Sequence, residues 1–144
     1  MAINDTIKLL TECNSGIRMG VDSIDEALPS VKSTQLRQTL RTCKNEHETL
    51  GDETHAMLLE LGDDGKDPNP IAKGMSWMKT NVKLAVSPKD STVADLLTDG
   101  CNMGVKSLNK YLNEYSCAEQ RAKDIAHRLI NLEAKLATDL SAYL

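Results

Sequence analysis

The sequence predicts an all-α protein: a four-helix bundle of two antiparallel helix hairpins, joined by a long crossover that carries a short fifth helix. Three observations predict it. Apolar residues recur in 4-3 steps along nearly the whole 144-residue chain, which is the period of an amphipathic helix. With no Phe, one Trp and three Tyr, the core must be built from Leu, Ile, Val, Met and Ala, a set that suits helices better than sheets. Finally, residues 16–28 align with residues 100–112 at a constant offset of 84.

The first hairpin is expected over 3–62. Its first helix steps through Ile3, Ile7, Leu10, Asn14, Ile17, Val21, Ile24 and Leu28, with Asn4 or Asp5 as N-cap and Pro29 at the exit. Its second steps through Leu36, Leu40, Cys43, His47, Leu50, Thr54, Met57 and Leu61. Ser30 or Ser33 can cap that helix, and Gly62 can end it in a left-handed conformation. The crossover over 63–90 opens on the breaker GDDGKDPNP. Asn69-Pro70 then starts a shorter helix with Ile71, Met75, Met78, Val82 and Ala85. At ~1.5 Å per residue such a helix can run the length of a bundle, which makes the second and third long helices parallel. The second hairpin is expected over 91–144. Asp90, Ser91 or Thr92 caps a helix through Val93, Leu97, Cys101, Gly104, Leu108, Tyr111 and Tyr115. Ser116-Cys-Ala-Glu119 reads as a capping box for the last helix, through Ala122, Ile125, Leu129, Leu132, Leu136, Leu140 and Tyr143.

Gly16, Met19, Gly20, Val21, Ser23 and Leu28 are identical to Gly100, Met103, Gly104, Val105, Ser107 and Leu112. Gly, Met and Ser are not needed for amphipathicity, so the match points to an internal repeat. Two related hairpins would bring the first and third long helices together about a pseudo-two-fold axis. Gly16-x-x-x-Gly20 and Gly100-x-x-x-Gly104 would let those backbones approach. In topology, repeat and glycine pattern the whole chain resembles the ferritin-like superfamily, in particular small bacterial rubrerythrin-like proteins of unknown function.

That resemblance implies a test for a di-iron centre, which needs a carboxylate from each of two helices and Glu-x-x-His from each of the other two. Metal-bearing relatives often place Glu directly after a mid-helix Gly, where this chain has Ile17 and Cys101. His47 lies on the seam, but Lys44 stands three residues before it, and the fourth helix offers Leu129 or Leu132. The ligands therefore look lost, and neither metal nor cofactor is expected. Asp52-x-x-His55 and Asp124-x-x-His127 form a tempting pair, but their spacing rotates them off the seam. His47, Cys43 and Cys101 are the one core set that could hold zinc or copper(I). Set against it is a buried His47 bonded to Asn14 or to a thiol, fixing register like any polar seam residue. Burial would lower its pKa.

The chain carries 17 Lys+Arg against 21 Asp+Glu, so no basic excess points to nucleic acid. No apolar run approaches a membrane span and no signal peptide is evident. The four cysteines lack C-x-x-C spacing and read as buried cytoplasmic thiols. Residues 66–89 hold five Lys and one Asp, so Lys73, Trp77, Lys79 and Lys83 form a possible interaction surface on the crossover helix. The expected function is a non-enzymatic structural or interaction role, with an unknown protein partner or a second copy of the chain. One alternative is a metal-binding or oxidoreductase protein with a non-standard site. Another is a peripheral membrane or surface binder acting through the basic crossover.

Overall fold

The computed structural model describes residues 2–63 and 89–144. Four long helices run through them: α1 (Ala2–Ala27), α2 (Thr34–Glu60), α3 (Asp90–Glu114) and α4 (Gln120–Leu140). No strand occurs among the described residues. The stretch expected to form a shorter crossover helix, with Lys73, Trp77, Lys79 and Lys83, lies outside them.

Polar contacts at the two ends set the helix directions. The Asp90 carboxylate, at the start of α3, accepts from the backbone N–H groups of Lys32 (2.7 Å) and Ser33 (2.9 Å) just before α2. Both helices therefore start at one end, and α2 and α3 are parallel. At the other end Asp5 accepts from the Cys117 N–H (3.1 Å) and the Thr6 hydroxyl accepts from the Glu119 N–H (2.8 Å). Hence α1 and α4 also run parallel to each other. Each hairpin packs internally, α1 lies against both α3 and α4, and α2 lies against α4.

Two helix ends form as their sequences dictate. The Ser33 hydroxyl accepts from the Leu36 N–H at 3.2 Å, capping α2. Gly62 has φ of 82° and closes α2, its N–H donating to Leu59 O and that of Asp63 to Leu58 O. This left-handed C-cap favours glycine. Three other expected caps are corrected. Asn4 and Asp5 are inside α1, which extends back to Ala2. The backbone of Lys89 takes the cap position of α3, freeing Asp90 to reach the other hairpin. The capping box does not form, because α4 begins only at Gln120 and Glu119 sits at the cap without a side-chain bond. In each case a carboxylate or hydroxyl from the opposite hairpin satisfies backbone donors at the turn, or an acid is drawn away to do so.

The buried face of α1 is also rotated from the expected line: Leu10, Ile17 and Ile24 lie on both, and Thr6, Leu9, Cys13, Gly20, Ser23 and Ala27 complete it, while Ile3 is 60% exposed and Asn14 and Val21 are half-buried. Small residues at the helix contact let neighbouring helices approach without contributing to an apolar pattern.

Packed side chains form two apolar clusters, one toward each end. One gathers Ile24, Leu36, Leu40, Val93, Leu97, Leu136 and Leu140 among others, and the second gathers Leu9, Leu10, Ile17, Leu50, Leu108, Ile125 and Leu129. Between them every helix passes through a short middle segment, the waist. There α1 contributes Gly20, α2 His47, α3 Gly104 and α4 Glu133.

Candidate functional site: the waist and the slot between α1 and α3

Helical stepping through Leu129, Glu133, Leu136 and Leu140 turns the Glu133 side chain inward, leaving it 1% exposed. Its Oε2 has no hydrogen-bond partner among the described residues. Burial alone raises its carboxyl from 4.5 to about 8, since low-dielectric surroundings disfavour the charged form.

Gly104 makes room for this group. A Cβ built there would meet Glu133 Cδ at 2.8 Å and Oε1 at 3.0 Å, with Oε2 closer still. At Gly16 a Cβ would stand 3.6 Å from a Leu129 methyl, an ordinary contact. The glycine stripes thus admit side chains from α4, whereas the sequence suggested close backbone approach of α1 and α3.

Glu133 is the floor of a groove of about 180 Å³ between α1 and α3. Gly16 and Met19 form one wall; Met103, Gly104 and Tyr111 form the other. Met103 is 67% exposed at the rim. Glu12 also lines the groove and hydrogen-bonds Tyr111. Met19 and Met103, related by the offset of 84, open on the same cavity.

His47, on α2, is fully buried. Its Nδ1–H donates to the Cys43 carbonyl at 2.8 Å, one turn earlier, and Cys43 Sγ lies 3.5 Å from the same nitrogen. Its anchor is thus its own helix, not Asn14. Nε2 is left buried and unpartnered among the described residues. Burial lowers the imidazole pKa below 6.5, outweighing the hydrogen bond to Cys43 and the charge of Glu46, which raise it.

The candidate metal set does not assemble. Among the described residues no three His, Cys, Asp or Glu side chains gather to hold an ion. Burial pushes the Cys13 and Cys43 thiols up to about 12 and Cys101 higher, nearby carboxylates including Glu133 adding to the effect. These thiols are protonated at neutral pH and are poor nucleophiles. Cys117, expected to be buried, is exposed. Lys44 pairs with Asp25 at 2.6 Å on the surface. Asp52 and His55 line a surface groove between α1 and α2, while Asp124 and His127 are exposed on α4.

Sequence reasoning missed Glu133. Leu132 beside it is the more apolar choice for the same turn, yet Leu132 is only half-buried. The available signal was the 4-3-4 stepping from Leu129, which lands on 133.

No protein-family model, curated protein or solved structure matches this chain.

Proposed function

We propose that this chain is a ferritin-like helical bundle whose hairpins are related by a pseudo-two-fold axis, and that it acts without catalysis or a di-iron centre by binding at the α1–α3 slot. The direction order of the four helices supports the topology. So do the turns: Ser33 and Cys117, separated by 84, each donate their N–H to an acid of the other hairpin. Gly20 and Gly104, also separated by 84, share the waist.

One observation carries the binding reading. Glu133 lines the inner end of the groove, and its buried Oε2, just beneath that surface, has no partner among the described residues. Burying such a group without a partner costs stability, and a ligand with a donor would repay it. The donor set speaks against di-iron: among the described residues the waist has one carboxyl and one imidazole, where two irons need several carboxylate bridges. A metal or redox role at His47, Cys43 and Cys101 is the weaker alternative, since Nδ1 is engaged and the thiols are protonated.

Protein purified without chelators or metal-affinity columns tests this reading. Elemental analysis is expected to find no stoichiometric iron, and added Fe(II) to be oxidised no faster than in buffer. Methyl NMR of Met19 and Met103 is expected to respond to ligands entering the slot. Two tightly held irons per chain with ferroxidase turnover would overturn the proposal.

A further inference from the structure

We propose that the slot between α1 and α3 binds a primary alkylammonium group, its N–H donors on the Glu133 carboxylate and its aliphatic stem between Met19 and Met103. The inference rests on the reading of the slot as a binding site and names the ligand class.

Four features select that chemistry. The unpartnered Oε2 on the floor is an acceptor once ionised, so the buried end of the ligand must donate. Among the described residues the ionisable groups lining the slot are Glu133, Glu12 and Tyr111, with no Lys, Arg or His, so a cation is favoured. The passage to the floor runs between Gly16 and Gly104 and past two thioethers, which suits an alkyl stem and offers little to a hydrated ion. A hard divalent ion wants several oxygen ligands, and no such group of acids exists among the described residues. Finally, about 180 Å³ is many times the ~10–15 Å³ that one water needs, which leaves room for a short alkyl chain such as that of n-butylammonium.

Glu133 supplies a signature that a merely greasy slot lacks. Its carboxyl, raised to about 8, must lose its proton to pair with an ammonium. Affinity should therefore climb up to about tenfold per pH unit from pH 6 to 8 and then level off. The ionisable groups around it are Cys13 and Glu12 on α1, Cys43 and His47 on α2, and Cys101 and Tyr111 on α3. The thiols and Tyr111 titrate above this range, and His47 below 6.5.

The test is titration of the full chain with n-butylamine, the neutral n-butanol, and a short blocked peptide bearing one lysine, followed by the Met19 and Met103 methyl signals. Saturable shifts with n-butylamine, strengthening from pH 6 to 8, and at least about tenfold weaker binding with no pH dependence in Glu133→Gln support the proposal. Equal binding of the peptide assigns the group to a protein lysine; binding of the free amine alone assigns it to a small molecule. Should Glu133→Gln not fold, the pH dependence in the wild type decides. Equal binding of n-butanol overturns the ammonium class while leaving the slot as a binding site. No methyl response to any of the three probes overturns both.

Discussion

The two ends of the bundle and its waist are made of the same four helices but differ in composition. At the ends, Leu and Ile from all four interlock, and among the described residues the one buried side-chain atom there without a partner is the Thr98 hydroxyl oxygen. At the waist, Gly104 faces the Glu133 carboxyl, and that carboxyl and the His47 imidazole each have a buried atom without a partner among the described residues. The ends hold the fold, while the waist costs stability and keeps an opening to the surface. Natural proteins accept such local conflicts chiefly at functional sites, and this favours the waist over the ends as the seat of function.

The largest expected effect breaks an end. Leu129 is fully buried, and Leu129→Ala should destabilise by about 2–5 kcal/mol through lost transfer energy plus a cavity. Leu97→Ala, in the opposite cluster, should cost a similar amount. Denaturant unfolding at one pH measures both. A cost well below that range would mean that the ends are loosely packed.

Waist substitutions should act in the other direction and depend on pH. Glu133 has a folded pKa above its unfolded value, about 8 against 4.5. The folded state therefore binds the extra proton between those values, so stability is full below the unfolded pKa and is lost as pH rises through the folded one. Glu133→Met should leave stability nearly unchanged at pH 4 and raise it by up to a few kcal/mol at pH 8. His47 has the opposite sign. Its folded pKa lies below 6.5, so its contribution is lost as pH falls below 6.5, and His47→Leu should gain most on the acid side. Unfolding midpoints of both variants at pH 4, 6 and 8 check the signs. A Glu133→Met gain that is the same at all three values would place that carboxyl in water.

These differences also explain what could be read in advance. The helices, the short first turn, the Ser33 cap and the Gly62 terminus follow from local patterns, in which each residue answers to neighbours a few positions away. Asp90 and Asp5 look like caps of their own helices because a sequence shows local donors first. Their partners lie across the bundle, at Lys32, Ser33 and Cys117. The rotated face of α1 escaped because Thr6, Gly20 and Ala27 are buried for their small size and carry little hydropathy. Glu133 escaped for a related reason: a single charged residue beside Leu132 looks like the solvent edge of a stripe. Only the gap left by Gly104 on another helix gives it a place inside.

The glycines sharpen the comparison at a smaller scale. An added methyl at Gly104 runs into the Glu133 carboxyl, while one at Gly16 meets a Leu129 methyl at 3.6 Å. Gly104→Ala should cost about 1–3 kcal/mol by forcing that side chain aside. Gly16→Ala should be neutral or stabilise by up to about 1 kcal/mol, because alanine is the better helix former. Thermal unfolding of the pair checks the contrast, and equal effects would mean that Glu133 moves freely. Because Gly104→Ala displaces the carboxyl without removing it, the same variant should also shift the Met103 methyl signal.

The smallest effect is expected where polar groups near the waist face water. Arg128 donates to Glu53 at 2.8 Å across the outside of α4 and α2, with side chains 52% and 42% exposed. The guanidinium bond holds the Glu53 carboxyl below its ordinary value of 4.5. Its contribution is thus present above that value and lost as pH falls, the reverse of Glu133. Exposure decides its size: water screens the pair, and ordering two long side chains offsets much of the attraction, leaving about 0–1 kcal/mol. A double-mutant cycle on Glu53→Gln and Arg128→Gln should give a coupling in that range, shrinking further between 0.05 and 1 M salt. Coupling of several kcal/mol that survives high salt would mean that the α2–α4 surface is shielded from solvent. Polar groups would then carry weight outside the waist as well, and the division between apolar ends and a polar centre would no longer describe how this bundle is held together.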